Sequence, residues 1–155
     1  MPSLHLRSRV LLALALAFTC SGCSDPPDET PLGRDIAAIM ERPEQKVDKV
    51  KIQHVLVAFV GAKAGSESKR NYAEARTLTE ELLKRARGGE DFAALMKKYS
   101  GDEGGGTYTL TQTDRHDYAQ NFHAIAFRLA VGEIGVAAHH RSKSPFGFHV
   151  IKRLE

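Results

Sequence analysis

Two stretches with a period of two in their polarity constrain this chain most, because they lie at the two ends of its globular part. Val50 to Phe59 alternates so that Ile52, His54 and Leu56 share one face, and its β-branched residues favour a strand. The chain finishes on SPFGFHVIKRLE, in which Phe148 to Leu154 reads as a second strand with His149 pointing the same way as Ile151. First and last strands are often sheet neighbours in small domains, so the two histidines are brought within reach of one another. The strands do not alternate regularly with the helical segments between them, which gives an α+β class with an antiparallel sheet rather than a parallel βαβ array.

Those helical segments are legible from their spacing. Tyr72 to Arg87 carries Ala75, Leu78, Leu82 and Ala86 on one face, Glu80/Lys84 and Glu81/Arg85 pairs outside, and Gly88-Gly89 as a stop. Asp91 to Tyr99 places Phe92, Leu95, Met96 and Tyr99 on one stripe behind an Asp91 cap. After a polar loop over 61–70 and a glycine-rich turn over 100–106, Thr107 to Gln112 reads as a strand. Phe122, Ile125, Ala126 and Leu129 then mark a third amphipathic helix, closed by Gly132 and Gly135. The loop Ala138 to Pro145 leads to the last strand.

The N-terminus is of different material. Residues 1–22 hold Arg7 and Arg9, an apolar run from Val10 to Phe18, and small or polar residues up to Cys23, the pattern of an export signal too short to span a bilayer comfortably. Cys20-Ser21-Gly22-Cys23 resembles a bacterial lipobox, in which cleavage precedes a diacylated cysteine, although Cys20 stands where Leu is usual. Lipidation at Cys23 would hold the mature chain on the periplasmic face of a membrane, and Ser24 favours the outer one. An ordinary secretory signal that leaves Cys23 as a free thiol is the alternative. No cysteine follows Cys23, so no disulfide staples the mature fold. Residues 23–46, with Pro26, Pro27, Pro31 and Pro43, read as a lipid-anchored tether in which Asp35 to Arg42 forms a short helix lying loosely on the domain of residues 47–155. Without residues 1–22 the chain has 20 basic against 19 acidic residues, a balance that gives no reason to expect nucleic acid.

A single histidine on an apolar strand face is ordinarily a satisfied core residue. Two of them on neighbouring strands can share a proton, one ring donating and the other accepting. A metal site built from His116, His123, His139 and His140 is a weaker reading, since no ligand pair is spaced i, i+4 on a helix and the mature domain holds no thiol. Gly104-Gly105-Gly106 lacks the Lys-Ser/Thr of a phosphate loop and reads as a turn. No metal and no cofactor is expected.

The segments KIQHVLVAF, GGEDFAALMKKYSGD, NFHAIAFRLAVGEIG and SPFGFHVIKRLE together resemble the successive signature blocks of the parvulin peptidyl-prolyl cis-trans isomerases, over Val47 to Glu155. The resemblance implies a four-stranded antiparallel sheet wrapped by about four helices. It implies proline-containing, unfolded or exported polypeptide as substrate and non-covalent isomerisation that assists folding. It places His54 and His149 on the family's paired histidines and Asp102 on its Cys/Asp catalytic position. Phe122 and Phe127 fall on the aromatic floor of the proline pocket, Tyr118 where Met or Leu is common, and Ser144 where Ser or Thr is common.

Two stretches depart from that pattern. The family usually continues Asp/Glu-Leu-Gly after its glycines, where this chain has Thr107-Tyr108-Thr109, and the run from Ile134 to Pro145 is several residues longer than usual. These departures favour the runner-up, a parvulin-like chaperone or peptide-binding module with little turnover. Lys63, Lys69 and Arg70 cluster in the loop after the first strand, where some parvulins receive an acidic residue before proline; Glu67 in the same loop offsets part of that field.

Overall fold

The computed structural model describes residues 28–102 and 104–155. In chain order they form α1 (Pro31–Met40), β1 (Lys49–Val57), α2 (Tyr72–Arg87), α3 (Phe92–Tyr99), β2 (Thr107–Thr111), α4 (Gln120–Ala126), β3 (Ile134–Ala137) and β4 (Phe148–Arg153). The four strands make one antiparallel sheet in the order β2-β1-β4-β3. The first and last strands are therefore neighbours, as expected, and they form its central pair. Within that pair His54 faces Ile151 and Leu56 faces His149, so the two histidines are diagonal neighbours on one face.

The sheet is covered on both sides. Val55, Val57, Phe148, Val150, Ile134 and Val136 pack against α2 and α3, while Val50, Ile52, Leu110 and Ile151 on the other face pack against Phe122, Ile125 and Phe127 around α4. In α2, Asn71 accepts from the Glu74 N–H at 2.9 Å while the Glu74 carboxylate accepts from the Asn71 N–H at 2.8 Å, closing both ends of a capping box. On its outer face the Glu81–Arg85 pair forms at 2.9 Å, whereas Glu80 turns to Arg76 instead of Lys84. Asp91 caps α3 through the Ala93 N–H at 3.1 Å. The third amphipathic segment is helical only as far as Ala126; Leu129 lies in the turns beyond it and is buried all the same.

One expectation is overturned. The helix within residues 23–46 begins at Pro31, and it is docked firmly on the sheet. Ile39 is 1% exposed, and its Cδ1 atom packs over Gly135, where a Cβ would come within 2.8 Å of it and displace the side chain. Arg87 clamps the Asp35 carboxylate at 2.9 and 3.0 Å and donates at 2.7 Å to the Ile134 carbonyl on the outer edge of β3. The connection onward is stitched too: Gln45 reaches Leu129 O at 2.7 Å, and Glu44 accepts from Arg128 at 2.7 Å and from Arg115. A helix that looks like part of a tether thus covers an otherwise open sheet edge.

Candidate active site

The site is made where β1 outruns β2. Pairing between them stops at Gln53↔Thr107, and beyond it the freed edge of β1 is taken by the turn over 100–106. Gly106, at a φ of 68°, turns its carbonyl to accept from the His54 N–H at 2.8 Å. Farther along, the Leu56 N–H donates to Ser100 Oγ at 3.1 Å, and Leu56 O accepts from the Gly101 N–H at 2.8 Å. These bonds hold the turn against the strand and place Asp102 beside the His54 ring.

Four polar side chains then form one network. His54 Nε2 donates to Asp102 Oδ2 at 2.9 Å, and the Tyr108 hydroxyl donates to the same oxygen at 2.8 Å. The Gly104 N–H meets Asp102 Oδ1 at 3.2 Å. Behind them His149 Nδ1 and His54 Nδ1 face each other at 3.3 Å. A carboxylate only accepts, which puts the proton of His54 on Nε2 and leaves its Nδ1 to accept from His149 Nδ1–H. His149 Nε2 is then a buried acceptor with no partner, which costs less than a buried orphan N–H would. Every donor in the chain points toward Asp102.

The charges follow from the geometry. The hydrogen bond from His54, joined by those from Tyr108 and Gly104, outweighs burial and holds the Asp102 carboxyl well below the usual carboxylate range. Burial pushes Tyr108 up to about 12, and the neighbouring carboxylate adds to the shift, so the phenol stays a donor. Burial, with His54 alongside, drives His149 down to about 3 and keeps its ring neutral.

Above this network lies a cleft of about 230 Å³ lined by His54, Leu56, Asp102, Tyr108, Tyr118, Phe122, Phe146 and His149 among others. Phe122, presented by the first turn of α4, sets its edge against His54 with centroids 5.0 Å apart and lies 5.0 Å from His149. Tyr118 and Tyr108 stand at 6.2 and 6.3 Å from the Phe122 ring and complete an aromatic enclosure.

The sequence-derived site residues separate into two groups. His54, Asp102, His149, Tyr118 and Phe122 converge on the cleft. Phe127 does not: it is 0% exposed and stacks on His123 at 4.5 Å in the core behind α4. Five residues along a helix rotate a side chain about 140° from its starting direction, so the two rings point to different faces. Ser144 is also buried away from the cleft, where its N–H and C=O pair with His140 at 3.0 Å and fix the base of the loop before β4. Cys23 lies outside the described residues. Tyr108 and Phe146 are site residues that the sequence reading passed over; Tyr108 falls in the departure from the family pattern, and Phe146 stands inside a quoted signature block. His123 Nε2–H donates to Thr111 O at 2.8 Å within the core. Among the described residues no three His, Cys, Asp or Glu side chains are grouped as metal ligands.

Comparison with known families decides what carries this geometry. The profile of the PPIC-type PPIASE domain matches residues 38–155. The chain belongs to the PPIC-type, or parvulin, family of peptidyl-prolyl isomerases. The match takes in the end of α1. Among curated relatives, chaperone SurA of Pseudomonas fluorescens strain Pf0-1 is 29% identical over 146 residues, 90% of this chain and 31% of that protein. Foldase protein PrsA 4 of Bacillus cereus is 37% identical over 76 residues, 46% of this chain and 25% of that one. The chain thus spans about a third or less of the length of these relatives. The parvulin fold is shared with peptidyl-prolyl isomerase ESS1 from Candida albicans at a TM-score of 0.59 and 21% identity, covering 84% of this chain and 80% of that one. It is shared equally with the solution structure of TbPIN1, at a TM-score of 0.56 and 21% identity over 70% of this chain and 98% of that one.

Proposed function

We propose that this chain catalyses cis-trans isomerisation of X-Pro bonds in exported or periplasmic polypeptides, without a covalent intermediate or a cofactor, and so assists their folding. The observation that carries the reading is the convergence of His149, His54 and Tyr108 on Asp102 directly beneath the aromatic cleft. Rotation about the bond is opposed by amide resonance, a barrier of ~20 kcal/mol. Lowering it by about 5.5 kcal/mol accelerates exchange about 10⁴-fold. The planar amide carries charge separation, negative on oxygen and positive on nitrogen, which the twisted transition state loses. A proline ring seated against Phe122 and Tyr118 is held in apolar surroundings that do not reward that separation. A carboxylate near the preceding carbonyl oxygen disfavours it further. Both effects act on the ground state relative to the twisted one, which is the condition for a rate gain. Asp102 serves by its charge; its two donors on one oxygen fix where that charge sits.

The test is exchange NMR on an X-Pro peptide. Phe122→Ala is expected to remove most of the acceleration with the circular dichroism spectrum retained, and a variant as active as the parent would reject the cleft. A holding role with little turnover is favoured by one observation, the relation to a protein named as a chaperone; it predicts peptide affinity without exchange in the same experiment.

The N-terminal pattern supports a further assignment. Residues 1–22 act as an export signal and Cys23 as the lipidated residue, tying the domain to the periplasmic face of a membrane, the outer one by the evidence of Ser24. One myristoyl-sized chain gives only reversible attachment, so stable anchoring requires the multiple acyl chains of a lipoprotein.

A further inference from the structure

The cleft does not end at its rim. Phe146 lines both the cleft and a neighbouring hollow of about 480 Å³, and Lys63 with Pro145 lines both that hollow and a larger one of about 1040 Å³. The three form one trough. Its joints are built: the Lys63 N–H donates to Pro145 O at 2.8 Å, and the Lys63 ammonium lies 5.0 Å above the centre of the Phe146 ring.

The outer wall is the loop over 138–145, which lies within the run from Ile134 to Pro145. It is held by the paired His140–Ser144 backbone bonds and by Asn121 N–H to Lys143 O, all at 3.0 Å. The floor is aromatic. Phe59 sets its ring edge-on to His139 at 4.8 Å and to Tyr72 at 5.2 Å, and Tyr72 remains 46% exposed. The charge over this floor has one sign. Lys63 and Arg141 line it, and among the described residues neither forms an ion pair. Arg115, in the middle hollow, is already paired with Glu44, and Asp117 is the carboxylate that lines that section.

The loop cations read as one cluster in the sequence are divided. Arg70 lines a hollow on the opposite flank together with Glu67, Lys98 and Asp102, and only Lys63 belongs to the trough. An acidic side chain directly before the proline would meet the Asp102 charge, whereas one several residues away would meet Lys63 and Arg141.

We propose that the trough running from the proline cleft over Phe146 to Lys63 and Arg141 binds a second, acidic segment of the substrate polypeptide, separated from the isomerised proline by several residues. The assignment rests on polypeptide being the substrate. Carboxylates of that segment engage the guanidinium and ammonium groups in charge-assisted hydrogen bonds, and its apolar side chains lie on Tyr72 and His139.

The experiment measures the Kd of the full chain for labelled Ala-Pro peptides by fluorescence anisotropy, with turnover recorded separately. A short Glu tract is placed either N-terminal or C-terminal to the proline and compared with a Gln tract in the same place. Because each exposed pair contributes modestly, the Glu tract on one side is expected to tighten binding about five-fold. That gain should vanish between about 0.05 and about 0.5 M salt. The double substitution Lys63→Gln, Arg141→Gln should abolish the gain, while Lys97→Gln on the exposed face of α3 should leave it. Equal gains on both sides would mean a diffuse field and overturn the trough. So would equal affinity for Glu and Gln tracts, a gain that survives the double substitution, or binding that weakens as protein concentration rises, which marks a second copy of the chain on this surface. One-sided binding in a chain that fails to accelerate exchange would keep the trough and reject the isomerase reading.

Discussion

Asp102 takes its character from its neighbours. A loop acid among glycines is unremarkable in a sequence, yet here one of its oxygens collects the donors of both His54 and Tyr108. The Tyr108 hydroxyl is the second of these donors. Tyr108→Phe keeps the ring and removes the donor. The Asp102 carboxyl is expected to titrate at higher pH than in the parent, followed by NMR, and kcat/KM to fall on the order of ten-fold, as loss of a hydrogen bond to a charged group suggests. His149 governs stability in acid. Its folded-state value is lowered from 6.5 to about 3, so between those limits the unfolded chain binds the proton and the native chain does not. Its contribution is fully present above pH 6.5 and is lost as pH falls toward 3, with a slope of at most about 1.4 kcal/mol per pH unit. Urea midpoints at a series of pH values should show this decline, and His149→Leu should flatten it. Asp102 acts in the same direction lower down, its contribution being lost as pH falls below the ordinary carboxylate range. A double-mutant cycle on His54 and His149 is expected to be non-additive in stability, because either ring left alone is a buried polar group without its partner.

Secondary elements show where local pattern suffices and where it fails. The helices α2 and α3 were legible because each has one buried face, which imprints a period of 3.6 on the sequence, and β1 was legible from the alternation of its first half and its β-branched residues. The strand β3 was not. All four of its residues are buried, one of them is glycine, and a strand enclosed on both faces carries no alternation. Its place became visible only once α1 and α4 covered it. The helix α1 shows the converse error: its prolines and acids resemble a tether, while Leu32 and Ile39 are core residues. Ile39→Ala is expected to lower stability by ~2 to 5 kcal/mol, read from chemical denaturation, because the cavity would open against β3 in a fitted contact. A helix resting loosely on the surface would show almost no change.

For the molecule as a whole, the proposed division is between an N-terminal segment that would address the chain and the isomerase domain. If Cys23 carries the lipid, the full chain expressed in bacteria should sediment with membranes and Cys23→Ala should release it or block its maturation; a wild type that is wholly soluble would reject the anchor. By itself the sequence determined the α+β class, the adjacency of first and last strands, and the convergence of His54, Asp102, Tyr118, Phe122 and His149, because each of these follows from alternation, spacing, a rule of small domains or a family signature. Tertiary structure alone decided that Phe127 and Ser144 sit in the core, that Tyr108 and Phe146 face the cleft, that α1 seals the edge of β3, and that Lys63 parts company with Arg70. The physical reason is common to all four: periodicity reports whether a side chain is buried, but which neighbours bury it depends on contacts between residues far apart in the chain, and those carry no local signal.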